Sequence, residues 1–291
     1  MNIDVILTSF NQSRFIQQAI ESIYIQIVDA HVRLIVADDA SIDDTPVIIH
    51  RLANKSPFEV VFLQDDNNLG ISKNYLRAFN ACTGDYIAIL EGDDYWCSPH
   101  HLQQHVSFLE EHRECSMSMN RYIRQDDSKC LFNMVRLDYP QFPHFVNVEE
   151  QISNGNQLGN LSACVLRASC VKKLPSDLFD LSIADWMLGI MLSQQGFLAI
   201  LEEPTSIYRI NSNSQWASKS KENQTEILLK RAEEYDSFQN GKYHAYWGRF
   251  KQKILTRDNT RLEDYLPPFI VMLAKAIIPH ALKKRIRIHG K

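Results

Sequence analysis

The stretch Gly84–Trp96, GDYIAILEGDDYW, carries the densest chemistry in the chain: an apolar run that empties into three carboxylates, Glu91, Asp93 and Asp94. Carboxylates grouped this closely raise one another's pKa and invite a hard divalent cation bound through oxygen, Mg2+ or Mn2+. Such a cation commonly brings a substrate phosphate with it. A solvated loop whose acids cap local backbone is the competing reading. Two further polar clusters stand earlier in the chain, Thr8-Ser9-Phe10-Asn11 and Asp38-Asp39.

Each cluster follows a short apolar segment, which identifies the elements that must position it. Asp4–Thr8, Val32–Ala37, Val60–Leu63 and Tyr86–Leu90 read as strands. Helical spacing separates them: Phe15, Ala19, Ile20 and Ile23, then Ile42, Val47, Ile48 and Leu52, then Ser72–Cys82. Short strands alternating with helices predict an α/β layer with parallel strands, and ligands of such sheets collect at the strands' carboxyl ends. Three polar or acidic strand ends therefore predict one shared site. Beyond Trp96, a helix is expected over Gln103–Glu111, strands over Ser162–Arg167 and Phe197–Leu201, and a helix over Ile183–Gln195. Residues 116–150 are mixed and rich in Asn, Asp and Pro. Residues 222–255 read as two helices, the second carrying Tyr243, Tyr246, Trp247, Phe250 and Ile254 on one face.

The chain has 291 residues, 45% of them hydrophobic, with ten Gly and ten Pro. That composition excludes collagenous, low-complexity and wholly disordered classes. The formal charge of −4 conceals a segregation. Residues 269–291 hold six basic side chains (Lys275, Lys283, Lys284, Arg285, Arg287, Lys291) and no carboxylate, which leaves a net of −10 on residues 1–268. Cys82, Cys97, Cys115, Cys130, Cys164 and Cys170 form no CxxC pair, which favours free thiols in a reducing compartment over a zinc or redox motif. No apolar run approaches the ~20 residues of a membrane-spanning helix. The opening MNIDVILTSFNQ lacks the basic and apolar regions of a secretory signal, so a cytoplasmic location is expected.

The sequence resembles the family 2 glycosyltransferases of the GT-A fold. The resemblance lies in VILTSFN (Val5–Asn11), VADDASIDDT (Val36–Thr45), NNLG (Asn67–Gly70) and GDYIAILEGDDYW, in that order. It continues through SACVLR (Ser162–Arg167), ADW (Ala184–Trp186) and YRINSNS (Tyr208–Ser214), and covers residues 1–215. It implies a Rossmann-like, mostly parallel sheet flanked by helices. Residues 1–96 form the nucleotide-binding part, residues 97–215 the acceptor part and residues 216–291 a helical extension. The implied activity is inverting, metal-assisted transfer of a hexose or N-acetylhexosamine from a nucleotide sugar, UDP-linked by preference, to a glycan or lipid-linked glycan. Bacterial surface polysaccharide assembly is the implied setting.

The implied roles agree with side-chain chemistry. Phe10 offers a flat face for uracil, and Asp39 accepts from the base N3–H, with Thr8, Asn11, Asp38 and Lys73 as further nucleotide contacts. The family's DxD motif falls at Glu91-Gly92-Asp93, so Asp93 is the expected metal ligand. Glu91, where the family has Asp, is left to reach the ribose or a metal-bound water. Asp185 is the expected general base, with helix capping as its competing role. Arg209, Asn211 and Ser214 are expected on the diphosphate, although many relatives have His where this chain has Asn211. Asp94, Trp96 and Trp186 are expected at the acceptor, against core packing for the two tryptophans.

The tail places apolar residues before a basic cluster, a combination suited to peripheral docking on the anionic inner face of the cytoplasmic membrane. A helix packed on the protein with a solvated basic end is the alternative. Residues 222–255 suit ordinary surface or a homo-oligomer contact, and no nucleic-acid partner is expected. The sequence leaves two rival functions. A sugar nucleotidyltransferase would need a glycine-rich phosphate loop after the first strand, and SFNQSRF has no glycine. A catalytically impaired glycan-binding relative is favoured by Glu91 and Asn211, and opposed by Asp93 and Asp185.

Overall fold

In a computed structural model, residues 1–63, 67–135, 139–181, 184–211 and 220–257 are described. The β-branched and apolar runs become strands: β1 (Asn2–Ser9), β2 (His31–Asp38), β3 (Glu59–Phe62), β4 (Tyr86–Glu91), β5 (Tyr95–Trp96), β6 (Cys115–Asp126), β7 (Leu131–Met134), β8 (His144–Val146), β9 (Cys164–Arg167) and β10 (Phe197–Ile210). The helices among them are α1 (Ile16–Tyr24), α2 (Thr45–Ala53), α3 (Ile71–Ala81), α4 (His101–Glu111), α5 (Val148–Ser153), α6 (Ala168–Val171) and α7 (Ala184–Ser193).

All ten strands join one sheet in the order β3-β2-β1-β4-β9-β6-β10-β5, with β7 added on β6 and β8 on β10. Strands β1 to β4 are mutually parallel. β9 runs antiparallel to both β4 and β6, and β10 is parallel to β6. β6 and β10 therefore point the same way as β1 and β4. Their carboxyl ends share one edge, so Phe10, Asp39, the Glu91–Asp94 turn, Gln125 and Arg209 all gather there.

Burial explains why these segments are strands. Ile3, Val5, Ile6 and Leu7 of β1 are fully buried, as are Ala88, Ile89 and Leu90 of β4. Central parallel strands covered on both faces read as unbroken apolar runs. Asp4, also fully buried, is offset by Arg33 Nε at 2.8 Å and by the Thr83 and Gly84 N–H groups at 2.6 and 2.7 Å. A buried charge is tolerable only when it is paired and hydrogen-bonded in this way.

Two strands differ from the sequence expectation. β6 occupies part of the segment read as mixed, because Ser116, Ser118 and Asn120 are buried polar residues that break its apolar pattern. β10 runs nine residues past the expected end at Leu201, through Glu202-Glu203-Pro204, with a register shift between Leu201 and Ser206. A bulge is where a strand accepts proline.

A second unit begins at Ser220. Its described part is a helical pair, α8 (Lys221–Phe238) and α9 (His244–Arg257). The Ser220 hydroxyl caps α8 by accepting Asn223 N–H at 3.2 Å. Tyr235 meets Trp247 edge-on at 5.9 Å, and the Trp247 indole donates to Gln239 at 3.1 Å. Among the described residues, no helix is long and apolar enough to cross a membrane.

Candidate active site

The acidic turn at the end of β4 is built by close backbone approach. Gly92 N–H donates to Thr8 O at 2.8 Å, and a Cβ on Gly92 would collide with the Gln12 side chain and crowd Ile16. A side chain at position 92 would have to displace the ends of Gln12 and Ile16 and press on Thr8 O at 3.0 Å. Glu91 accepts the Tyr75 hydroxyl at 2.8 Å. Burial first, and then the negative charge of Asp93, push the Glu91 pKa up to about 7. Asp93 accepts the Asn211 amide at 3.0 Å, and burial raises its pKa too, opposed by Asn211 and the Arg209 charge.

Asp94 faces inward. It is 1% exposed, taking Arg209 N–H at 2.8 Å and the Ser162 hydroxyl at 2.7 Å. It is a tie between β4 and β10, which corrects the expectation that it meets the acceptor. The two tryptophans require the same correction. Trp96 is buried, stacks on His101 at 4.3 Å and donates to Ser162 O at 2.8 Å. Trp186 is equally buried and donates to Gln151 O at 3.0 Å. Neither presents a wall to a ligand, because each indole N–H finds its partner in buried backbone.

At the end of β1 the Phe10 ring is 47% exposed, an unusual position for a phenyl group unless something covers it. Asn11 adopts a left-handed φ of 52° and uses its carbonyl oxygen to accept Ile42 N–H at 2.9 Å. Asp38 is occupied by Ser9 and Ser41, whose hydroxyls donate to it at 2.6 and 2.7 Å. In the structure both Asn11 and Asp38 brace the loop after β2. Asp39 is 4% exposed, and its two oxygens accept Leu69 and Gly70 N–H at 2.8 and 2.9 Å. That fastens the Asn67–Gly70 loop to the end of β2, while each carboxylate oxygen keeps a second lone pair for a ligand donor. Thr8 is buried and bonds the Tyr75 hydroxyl.

Asp185 sits in the first turn of α7, where Asn156 donates to its Oδ2 at 2.9 Å. Its charge acts on Glu91, Tyr75 and Cys164, which places it near the end of β4. Three of the expected residues, Glu91, Asp93 and Asp185, are thus brought into one electrostatic cluster. Arg209 is not delivered as expected. Its guanidinium lies over Phe15 at 4.6 Å and Tyr95 at 5.3 Å, donates to Gln18 at 2.6 Å and is 4% exposed. This corrects a direct diphosphate grip to a buried cation whose charge acts on Asp93. It walls a pocket of about 360 Å3 that Arg14, Gln125, Asp127 and Phe132 also line. Lys73 pairs with Asp180 at the surface. Ser214 and residues 269–291 lie outside the described residues.

Tyr75, Ser162 and Asn156 join the site without a signal in the sequence. Tyr75 reads as one more apolar position of α3, and nothing in its spacing announces a hydroxyl aimed at Glu91. Ser162 lies within a quoted motif, but its value comes from a fold that brings it to Asp94. Asn156 stands in NGNQLGN, which signals only a turn.

The donor set is all oxygen, which suits Mg2+ or Mn2+. Among the described residues no group of three or more His, Cys, Asp or Glu side chains could hold a metal unaided. Asp93 with substrate phosphates and water nevertheless fits the way Mg2+ is usually held, through one or two carboxylates plus phosphate.

The fold, with acids along the carboxyl edge of a mostly parallel sheet flanked by helices, is that of the GT-A glycosyltransferases. The Glycosyl transferase family 2 model matches residues 4–155, more than half of the chain, and the chain belongs to that family. An uncharacterized Mycobacterium tuberculosis protein is 28% identical over 220 residues, 74% of this chain and 60% of the relative's length. The crystal structure of S. aureus TarS 1–349 in complex with UDP-GlcNAc superimposes with a TM-score of 0.58 at 18% identity, over 80% of this chain and 66% of that one. The mannosyltransferase PcManGT of Pyrobaculum calidifontis, in complex with GDP-Man and Mn2+, gives a TM-score of 0.59 at 13% identity, over 98% of this chain and 83% of that one. At such identities the likeness to these structures is one of fold.

Proposed function

We propose that the protein transfers a sugar, with inversion, from a nucleotide-sugar donor, UDP-linked by preference, to a hydroxyl of a glycan or lipid-linked glycan. The observation that carries the reading is the cluster of Glu91, Asp93 and Asp185 at the sheet's carboxyl edge, with the exposed Phe10 ring beside it. The base stacks on Phe10 and gives its N3–H to Asp39. Asp93 faces the diphosphate, where Mg2+ or Mn2+, when bound, supplies stabilisation of the negative charge that develops as the leaving group departs. Glu91, accepting the Tyr75 hydroxyl, is placed for a donor hydroxyl. Asp185 takes the proton of the acceptor hydroxyl as that oxygen bonds to the anomeric carbon and the bond to the diphosphate breaks. One displacement on the face opposite the leaving group inverts the configuration.

Residues 1–215 supply this machinery in the proposal. Residues 216–291 form an extension whose basic end carries the enzyme to the inner face of the cytoplasmic membrane, and α8 and α9 are available for self-association. TarS crystallised with UDP-GlcNAc and PcManGT with GDP-Man and Mn2+, which supports nucleotide-sugar donors and a divalent cation for this chain as well. The test is nucleotide release by purified protein with Mn2+ or Mg2+ and a panel of UDP-, GDP- and dTDP-sugars. Release from a subset of donors is expected. No release from any of them, with or without added glycan acceptors, contradicts an enzymatic role.

A further inference from the structure

Asp185 and Trp186 dock α7 onto the segment around α5 at two points. The Trp186 indole donates to Gln151 O at 3.0 Å, and one residue earlier Asp185 Oδ2 receives the Asn156 amide at 2.9 Å. Asn156 is itself fixed, because its carbonyl oxygen accepts Leu158 N–H at 3.2 Å and Leu158 is fully buried. The amide orientation follows from this arrangement: Oδ1 is used by the backbone, so Nδ2 is turned to the carboxylate. The charge of Asp185 acts on Glu91 from β4, Tyr75 from α3 and Cys164 from β9. All three are acids, and none of them favours a negative charge at Asp185 by Coulomb attraction. A hydrogen-bond donor to the carboxylate favours its charged form.

We propose that Asn156 is a positioning residue for glycosyl transfer, holding Asp185 oriented and ionised toward the acceptor hydroxyl through the Nδ2–Oδ2 hydrogen bond. This rests on the reading of Asp185 as general base. Asn156 itself touches no reacting atom. Its effect is to fix Oδ2 of the carboxylate and to favour the proton-free form of the base.

The test compares Asn156→Ala, Asn156→Asp and Asp185→Asn in nucleotide release with whichever sugar nucleotide the wild type turns over. Asn156→Asp keeps the acceptor for Leu158 N–H and replaces the amide donor by a like charge, so it separates loop structure from the effect on Asp185. Expected for Asn156→Ala are a roughly tenfold fall in kcat, an unchanged donor KM and an acid limb of kcat/KM moved up by about one pH unit. Asn156→Asp moves the limb further in the same direction. Should both variants show a lower melting temperature but the wild-type acid limb, Asn156 is only a loop residue and the proposal is overturned. If Asn156→Ala does not fold, Asn156→Asp decides alone by the same limb. Asp185→Asn separates the two levels: wild-type turnover in that variant removes the base itself, whereas its inactivity with unshifted Asn156 variants removes only the positioning role.

Discussion

Ser162 gives its hydroxyl hydrogen to Asp94 Oδ2 at 2.7 Å, and the Ser162 Oγ itself accepts Glu91 N–H at 3.0 Å. With Arg209 N–H on the other Asp94 oxygen at 2.8 Å, a buried carboxylate fastens the acidic turn after β4 to β10. Ser162→Ala leaves one buried Asp94 oxygen and one backbone N–H without a partner, at a cost of ~1–3 kcal/mol each. The melting temperature is expected to fall by several degrees, with kcat falling in parallel because Glu91 and Asp93 lose their anchor. Calorimetry and nucleotide release on the same sample check this; an unchanged melting temperature contradicts it.

Phe10 is the opposite kind of residue, a large ring left half in solvent. Stacking on a base is worth ~1–3 kcal/mol, so Phe10→Ala is expected to raise the donor KM by roughly 5- to 100-fold. The melting temperature stays near that of wild type because the ring is 47% exposed. Phe10→Tyr retains the stacking face and a near-normal KM. A stability loss with an unaltered KM would reassign the ring to packing.

A buried histidine pair predicts acid sensitivity. His101 and His105 are fully buried under β6 and β10, with the His101 ring bonded to Thr205 and the His105 ring to Ser118 and Asn120. Burial lowers both pKa values, that of His105 from 6.5 to about 4. The folded protein therefore holds fewer protons than the unfolded chain between those values. The resulting stability is complete above about pH 6.5 and is lost as the pH falls toward 4, on the order of 3 kcal/mol for His105. Glu91, whose pKa is raised to about 7, works in the opposite direction as its proton leaves between pH 4.5 and 7. The stability difference between wild type and His105→Gln isolates the histidine contribution. It is expected to shrink from pH 7.5 to pH 5 in urea unfolding, and a constant difference refutes it.

The first half of the fold is legible because its strands are covered on both faces and read as plain apolar runs between helical spacings. β6 and the far half of β10 are not, since Ser116, Ser118, Asn120 and Glu202-Glu203-Pro204 disguise strand residues whose polar atoms find partners only after folding. The site divides along the same line. Side-chain type alone points to Glu91, Asp93 and Asp185 as groups that do chemistry. Which way a side chain turns depends on contacts distant in sequence: Gln18 and Phe15 draw Arg209 inward across nearly two hundred residues, and Ser162 claims Asp94. Tryptophan is ambiguous for the same reason, since one indole serves a sugar wall or a core equally well until its N–H partner is known.

Asp185→Asn tests the central claim most directly, because the substitution preserves shape while removing the capacity to accept a proton. Donor affinity is measured by calorimetry and sugar transfer by nucleotide release in the presence of acceptor. The account predicts wild-type donor affinity with a kcat lower by roughly 10²–10⁴-fold, the range a positioned general base contributes. Equal kcat in the variant and the wild type would contradict it.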